Sequence, residues 1–446
     1  MVEETLDDKV YATHLSKISS TNKVVSTEDI FSSGGVLLVS KNTVIDDKTS
    51  VNLVKHKLKK SVSLSIAIEH LIDEKKVYAD FQEYLKNNPE LQLVHEKLAL
   101  NKDVQMGCLY LMEFPLLRQK LTVMQQNLPE LYRKSIAGAW FALAIEKQLG
   151  QSQPALKQAL LAGLIRDVGM MHIEPELLKE SSDNSKALRK LIMSHVLIGK
   201  LVLDEVDSLP LLIKRAIFEH HERSDGAGYP KGKQSDELSQ LGLVLAMADT
   251  IQEILQRYKR QGKNIASLEG FFILNTSTYG EAVYKSLMQL VKLTGVSANR
   301  VIPDEYFADF IDKLVETNQV FLRACILLAQ LDSQLNTAKP CKEEQVVKNF
   351  IQRIVSMRVA SGVPSQEYCR WIEYVRKNKI QDAYGEMEML GMMFDELAWQ
   401  LDQIRLFINA LFQSDNYDQN VKNLMDDCLQ LIKQALKITE FAQVRG

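Results

Sequence analysis

Cysteine is scarce and dispersed in this chain. Cys108, Cys325, Cys341, Cys369 and Cys428 are odd in number, far apart and never in a C-x-x-C pair, which argues against a disulfide framework or a zinc knuckle and predicts reduced thiols buried as small hydrophobes. A basic excess is also missing. Lys and Arg number 54 against 57 Asp and Glu, a formal net charge of -3, which argues against a nucleic-acid-binding surface while leaving room for a local basic pocket. The start, Met1-Val2-Glu3-Glu4-Thr5-Leu6-Asp7-Asp8, has neither the basic residues nor the apolar core of a signal peptide, and no apolar run approaches the length of a membrane span. These absences predict a cytoplasmic protein without a membrane span.

What is present is a globular composition: 446 residues, 46% hydrophobic and 25% charged, enough for two to four units with sizeable cores. Thr27 to Leu58 reads as a small β-containing module, with β-rich runs at Val36–Val39 and Thr43–Ile45 and a helix from about Asp47. From Ile66 to Leu121 the apolar spacing reads as helical, with a break at Asn87-Asn88-Pro89. Beyond Tyr258 the polar run Lys259–Asn264 reads as a loop. Stripes such as Leu397, Leu401, Ile404, Ile408 and Leu411 then predict a helical bundle. Met387, Met389, Met392 and Met393 are read as core, with an adaptable partner surface as the alternative. The expected organisation is mainly α: a small α+β module at 1–65, a helical connector at 66–126, a helical domain at 127–275 and a helical region at 276–446.

The chain is organised around His220-His221-Glu222-Arg223-Ser224-Asp225-Gly226-Ala227-Gly228-Tyr229-Pro230. Leu212, Ile213, Ala216 and Ile217 precede it at helical spacing and place both imidazoles in the last turn of a helix, before a loop rich in turn residues. This run resembles the signature of the HD-GYP domains, a bacterial branch of the HD phosphohydrolase superfamily associated with hydrolysis of cyclic di-GMP at a two- or three-metal site. Eight specified positions fall within eleven residues, far more specific than a lone GxGxxG. The resemblance implies an all-helical core from Glu130 to Ile254.

Other positions follow from the same resemblance. Lys134 stands where the family carries its first histidine ligand, and Glu130 matches an acidic ligand of the trinuclear members. The His-Asp doublet that names the superfamily reads Arg166-Asp167 here, followed by Gly169 and by Met170 in place of a lysine. His195 and Gly199 match a His-x-x-x-Gly helix, Asp249 takes the last ligand position, and Leu243 replaces an arginine. One implied metal set therefore reads Lys134, Arg166, Asp167 and Asp249, with two donors exchanged for cations. A guanidinium has no lone pair to offer a metal, so Lys134 and Arg166 are expected to form a salt-bridged set with the two carboxylates in that metal's place. The other set, Asp167, His195, His220 and His221 with Glu130, keeps donors suited to one divalent transition metal, iron or manganese.

Two functions follow. The first is a degenerate HD-GYP protein of cyclic di-GMP-type signalling, a non-catalytic binding or scaffold protein with protein partners and with cyclic di-GMP as its candidate ligand. The alternative is a residual metal-dependent phosphodiesterase acting on cyclic di-GMP or pGpG, with Asp167 as the catalytic metal ligand. The bland readings are an ancestral histidine cluster in a helical core, and a turn kept for fold stability at Asp225, Gly226, Gly228, Tyr229 and Pro230. His172 is expected beside the site or at the surface, and His14, His56, His70 and His95 as solvated or capping residues.

Overall fold

The computed structural model describes residues 8–174, 186–335, 341–414 and 416–439. It is 72% helical and 4% strand, which places it in the expected mainly α class. The chain divides into two compact units. The first comprises 1–222, 229–231 and 238–252, and the second 223–228, 232–237 and 253–446. The segments expected as a separate module and connector thus share one unit with the histidine-bearing helices, and the boundary expected at 275 falls instead inside the helix Gln240–Lys259.

In the first unit, helix Lys9–Ser19 leads into strand Val24–Ser26, which pairs antiparallel with Ile66–Ile68 in the register Val24 to Ile68. Ile66–Ile68 is therefore a strand rather than the start of the helical run. Its alternation, with Ile66 and Ile68 buried and Ala67 exposed, is the two-residue period of a strand. A second small sheet pairs Ile30–Phe31 with Leu37–Val39. The expected strand at Thr43–Ile45 reduces to a single bridge between Val25 and Val44. Helix Asp47–Lys55 begins where Asp46 accepts a hydrogen bond from the Thr49 backbone N–H.

The remaining helices of this unit are Glu74–Lys86, Pro89–Lys97, Asn101–Leu111, Pro115–Asn127, Pro129–Gln148, Gln153–Ile165, Lys186–Met193, His195–Asp204 and Leu211–Glu219. Proline stands in the first turn of four of them, where its missing N–H costs nothing. Pro129–Gln148 and Gln153–Ile165 pack as an antiparallel pair and supply much of the core. Trp140, Phe141, Leu143, Leu160, Leu161 and Leu164 are fully buried.

The second unit is a helical bundle. Its long members are Asp304–Gln334, Lys342–Ser361, Tyr384–Phe412 and Gln419–Thr439, around a core that includes Phe307, Phe321, Ile351, Phe394, Ile404 and Ile432. Met387 and Met393 lie in that core and Met392 is also buried, while Trp399 is about half exposed. Helix Asp304–Gln334 is long and apolar enough to cross a membrane by length and composition, contrary to the expectation that no run would be. Half of its most apolar window is buried, as for a bundle's core helix. In the polar run 259–264, Lys263 is buried in an ion pair with Glu388, which also accepts N–H bonds from Val301 and Ile302.

Candidate metal centre

Helix Gln153–Ile165 stops at Arg166, and the chain turns through a short 3₁₀ segment, Val168–His172, that presents Asp167. Gly169 makes the turn possible: a Cβ there would lie 2.0 Å from the His195 backbone oxygen. The turn therefore rests directly on helix His195–Asp204 and brings Asp167 beside His195. His220 and His221 follow the last residue of Leu211–Glu219, His220 as its C-cap, one step beyond the last helical turn in which the apolar spacing had placed them.

One donor atom from each of Asp167, His195, His220 and His221 lies within 4.8 Å of the others. Asp167 Oδ1 is 3.6 Å from Nε2 of both His195 and His220. His195 Nδ1 stands 2.6 Å from the Ile192 oxygen, and His220 Nδ1 stands 2.5 Å from the Ile217 oxygen. A carbonyl only accepts, so each Nδ1 carries a proton and each ring turns its Nε2 inward, where the neutral form offers a metal its lone pair. Those two Nε2 atoms face each other across 3.3 Å. Two lone pairs and a carboxylate oxygen converging on one point, with both rings oriented by backbone carbonyls, is a donor arrangement that fits one divalent ion.

Arg166 stands on the other side of Asp167. Its side chain is fully buried, with Nε 3.0 Å from Asp167 Oδ2 and Nη2 3.1 Å from Asp249 Oδ1. Burial alone would raise the Asp167 carboxyl, but Arg166, His220 and His195 together hold it far below the usual carboxylate range. His195 is lowered, by burial first and by the neighbouring His220. Gly138 is the residue that sequence reasoning missed. A Cβ at that position would lie 1.5 Å from Arg166 Nη1, so the helix Pro129–Gln148 leaves the guanidinium its space only because residue 138 has no side chain. The signal was a glycine inside a strongly helical stretch, which needs a packing reason.

Two expected members lie elsewhere. Lys134 is exposed, and its ammonium makes no ion pair among the described residues; only its backbone oxygen approaches Arg166, at 3.5 Å. Among the described residues, Arg166 is the one Lys or Arg side chain paired with Asp167 and Asp249. Glu130 is 73% exposed in its side chain and pairs with Arg133, so it is not brought to the cluster. Asp249 is beside it, 4.0 Å from His221 Nδ1.

The loop that follows the histidine pair is held at several points. Tyr229 stacks on His221 with ring centroids 4.7 Å apart, and its N–H donates to the His221 oxygen. Glu222 is buried and accepts from the N–H of Lys231, next to Pro230. Within the second unit, Asp225 accepts from the Ala227 N–H and forms a two-point ion pair with Arg353, 2.7 Å from Oδ1 and 2.5 Å from Oδ2. Gly226 adopts a positive φ of 75° and its carbonyl oxygen accepts from the Asn349 amide at 3.0 Å, while Gly228 sits half-buried beyond it. Among the other histidines, His172 is buried, stacks on Tyr11 and lies 3.9 Å from Asp8. His14 and His95 are buried rather than solvated, His95 accepting from the Trp140 indole. His56 and His70 are exposed.

Residues 120–274, about a third of the chain, match the HD domain family model, and this segment is similar to proteins of the HD-GYP/HD superfamily. A cyclic di-GMP phosphodiesterase of Thermotoga maritima is 27% identical over 168 residues, 36% of this chain and 45% of that protein. One from Pseudomonas aeruginosa is 29% identical over 136 residues, 30% and 33% of the two chains. A 3'3'-cGAMP-specific phosphodiesterase of Vibrio cholerae is 29% identical over 118 residues, 26% and 27%. The matches span less than half the length of each relative, and the relatives differ in the cyclic dinucleotide they are named for.

Proposed function

We propose that this chain works in cyclic-dinucleotide signalling as a binding or scaffold protein that does not turn over phosphodiesters, and that its site holds at most one divalent ion, iron or manganese. The observation that carries this is Arg166. Its guanidinium occupies the place between Asp167 and Asp249 where a second ion would need those carboxylates. Two-metal hydrolysis needs ions about 3.5–4 Å apart to clamp the attacking and leaving oxygens, and one ion beside a fixed guanidinium supplies only half of that clamp. Cyclic di-GMP is the ligand favoured by the relatives' names, and signalling proteins are the expected partners.

The histidine ring keeps the second reading in view. Asp167, His195, His220 and His221 remain close enough to bind an ion, which favours a residual phosphodiesterase over a site with no chemistry. Metal analysis of purified protein, together with a hydrolysis assay on cyclic di-GMP and pGpG under added Mn²⁺, separates the two. The expected result is no more than one equivalent of metal and no product. Two tightly bound ions per chain, or turnover abolished by His195→Ala, would establish the enzyme instead.

A further inference from the structure

Away from the histidine cluster, the first unit contains a cavity of about 180 Å³. Glu146, Gln151, Gln158 and Gln240 line one part of it, and Leu212 and Leu241 another. Glu146 comes from the end of helix Pro129–Gln148, Gln158 from Gln153–Ile165, Leu212 from Leu211–Glu219, and Gln240 and Leu241 from the start of Gln240–Lys259. Four helices thus meet around one carboxyl group.

That carboxyl is poorly provided for. Glu146 is only 3% exposed. Its Oε2 accepts from the Gln240 amide at 3.1 Å, and no donor among the described residues reaches Oε1. A buried carboxylate ordinarily collects several donors. Here burial pushes the group up to about 7, the mark of a charge without its counterpart. Its neighbours in the cavity are glutamines, each with an amide oxygen that can accept. The unmet need is for a donor-rich cation.

We propose that this cavity is a socket for the arginine side chain of a protein partner, with Glu146 as its anion and Leu212 as part of an apolar rim. A guanidinium suits the lining better than an ammonium. Its five N–H donors lie in a plane and can reach the carboxylate and the glutamine oxygens together, whereas an ammonium offers three from one point. The methylene stem would lie along Leu212 and Leu241, as arginine stems do on apolar surface. A partner protein rather than a free guanidine compound is indicated by what stands beside the socket. Leu211 is 81% exposed and Leu212 44%, so apolar area stands open beside the buried anion for a partner to cover, and arginine is a residue type enriched at protein interfaces. The proposal does not depend on the metal content of the histidine cluster.

The test is a titration of the full-length protein, followed by calorimetry, with four probes: N-acetyl-arginine amide, the peptide acetyl-Leu-Arg-Leu-amide, and the citrulline counterpart of each. Citrulline keeps the shape and removes the charge. The arginine peptide is expected to bind at least tenfold more tightly than its citrulline counterpart, and Glu146→Gln should remove that preference. Ala155→Leu, which keeps the carboxyl and fills the cavity, should weaken both arginine probes, so a folding defect in one variant cannot decide the matter alone. Replacing Leu211 and Leu212 together with serine should weaken the peptide and spare the capped residue. Equal binding of the arginine and citrulline forms, or an arginine preference that survives Glu146→Gln, overturns the socket. If the capped residue binds as well as the peptide and the leucine replacements change neither, the occupant is a free guanidine compound and the partner assignment fails.

Discussion

Replacing Arg166 with alanine tests the reading of the site most directly. The side chain is fully buried and makes ion pairs of 3.0 and 3.1 Å with carboxylates that are themselves only 11% and 19% exposed. Removing one partner of a buried ion pair costs about 3–5 kcal/mol, because the remaining charge stays desolvated. Two carboxylates lose their partner here, but both keep some access to water, so the lower half of that range is expected. For a unit of this size each kcal/mol moves the melting temperature by about 2–4 °C, so Arg166→Ala should melt roughly 6–16 °C below the parent. Added Mn²⁺ should restore part of the loss, since a divalent ion can take the vacated place between Asp167 and Asp249. At a hundred times its dissociation constant, a ligand of the native state contributes about 2.7 kcal/mol. The assay is a thermal melt of parent and variant with and without Mn²⁺. Equal melting of the two proteins in both conditions would refute the claim that the guanidinium neutralises these carboxylates.

Other perturbations probe separate features. Gly138→Ala places a Cβ where Arg166 Nη1 now lies and should cost about 1–3 kcal/mol by overpacking; in an Arg166→Ala background most of that cost should vanish, and an unchanged cost measured by chemical denaturation would mean that the two residues are not coupled. Asp225→Ala and Arg353→Ala remove the same two-point pair, so their double-mutant cycle should give a coupling of about 1–3 kcal/mol; a value below about 0.5 kcal/mol would show that the pair does not hold the loop. Glu146 is raised from 4.5 to about 7, so the folded state binds a proton more tightly than the unfolded one between those values, and stability should fall as pH rises through that window, by up to about 3 kcal/mol. Glu146→Gln removes this contribution and should be more stable than the parent at pH 8 while differing less at pH 5; denaturation profiles of the two proteins that run parallel from pH 5 to 8 would contradict it.

The parts of this molecule legible in the sequence were those written in local pattern. The apolar positions before His220 gave a helix ending at the histidine pair, and Asn87-Asn88-Pro89 separated two helices. Strand Ile66–Ile68 escaped because its partner, Val24–Ser26, lies some forty residues earlier and three residues carry little periodicity of their own. Lys134 was misplaced for a different reason. Sequence position put it over the site, but a long ammonium side chain with no inward carboxylate partner gains more by reaching water, and Arg166 already satisfies both acids. Glu130, with Arg133 one turn away, is drawn outward in the same way. His14 and His95 were read as solvated because burial of an isolated histidine depends on tertiary packing that no single stretch encodes.

The charges around Asp167 also bear on how many ions the site accepts. Asp167 and Asp249 contribute two negative charges and Arg166 one positive, leaving a net of one negative when the imidazoles are in the neutral form that binds a metal. A first divalent ion among Asp167, His195, His220 and His221 would make the group singly positive. It would meet two Nε2 lone pairs that already face each other at 3.3 Å, so little rearrangement is needed. A second divalent ion would bring the group to three positive charges and would have to compete with a guanidinium about 3 Å from each carboxylate. In a buried site, where the effective dielectric is well below that of water, like charges at such separations repel by several kcal/mol. On the proposed reading, Arg166 therefore acts on stoichiometry twice, by occupying the place a second ion would need and by its charge, while the imidazoles on the far side of Asp167 stay oriented for the first ion.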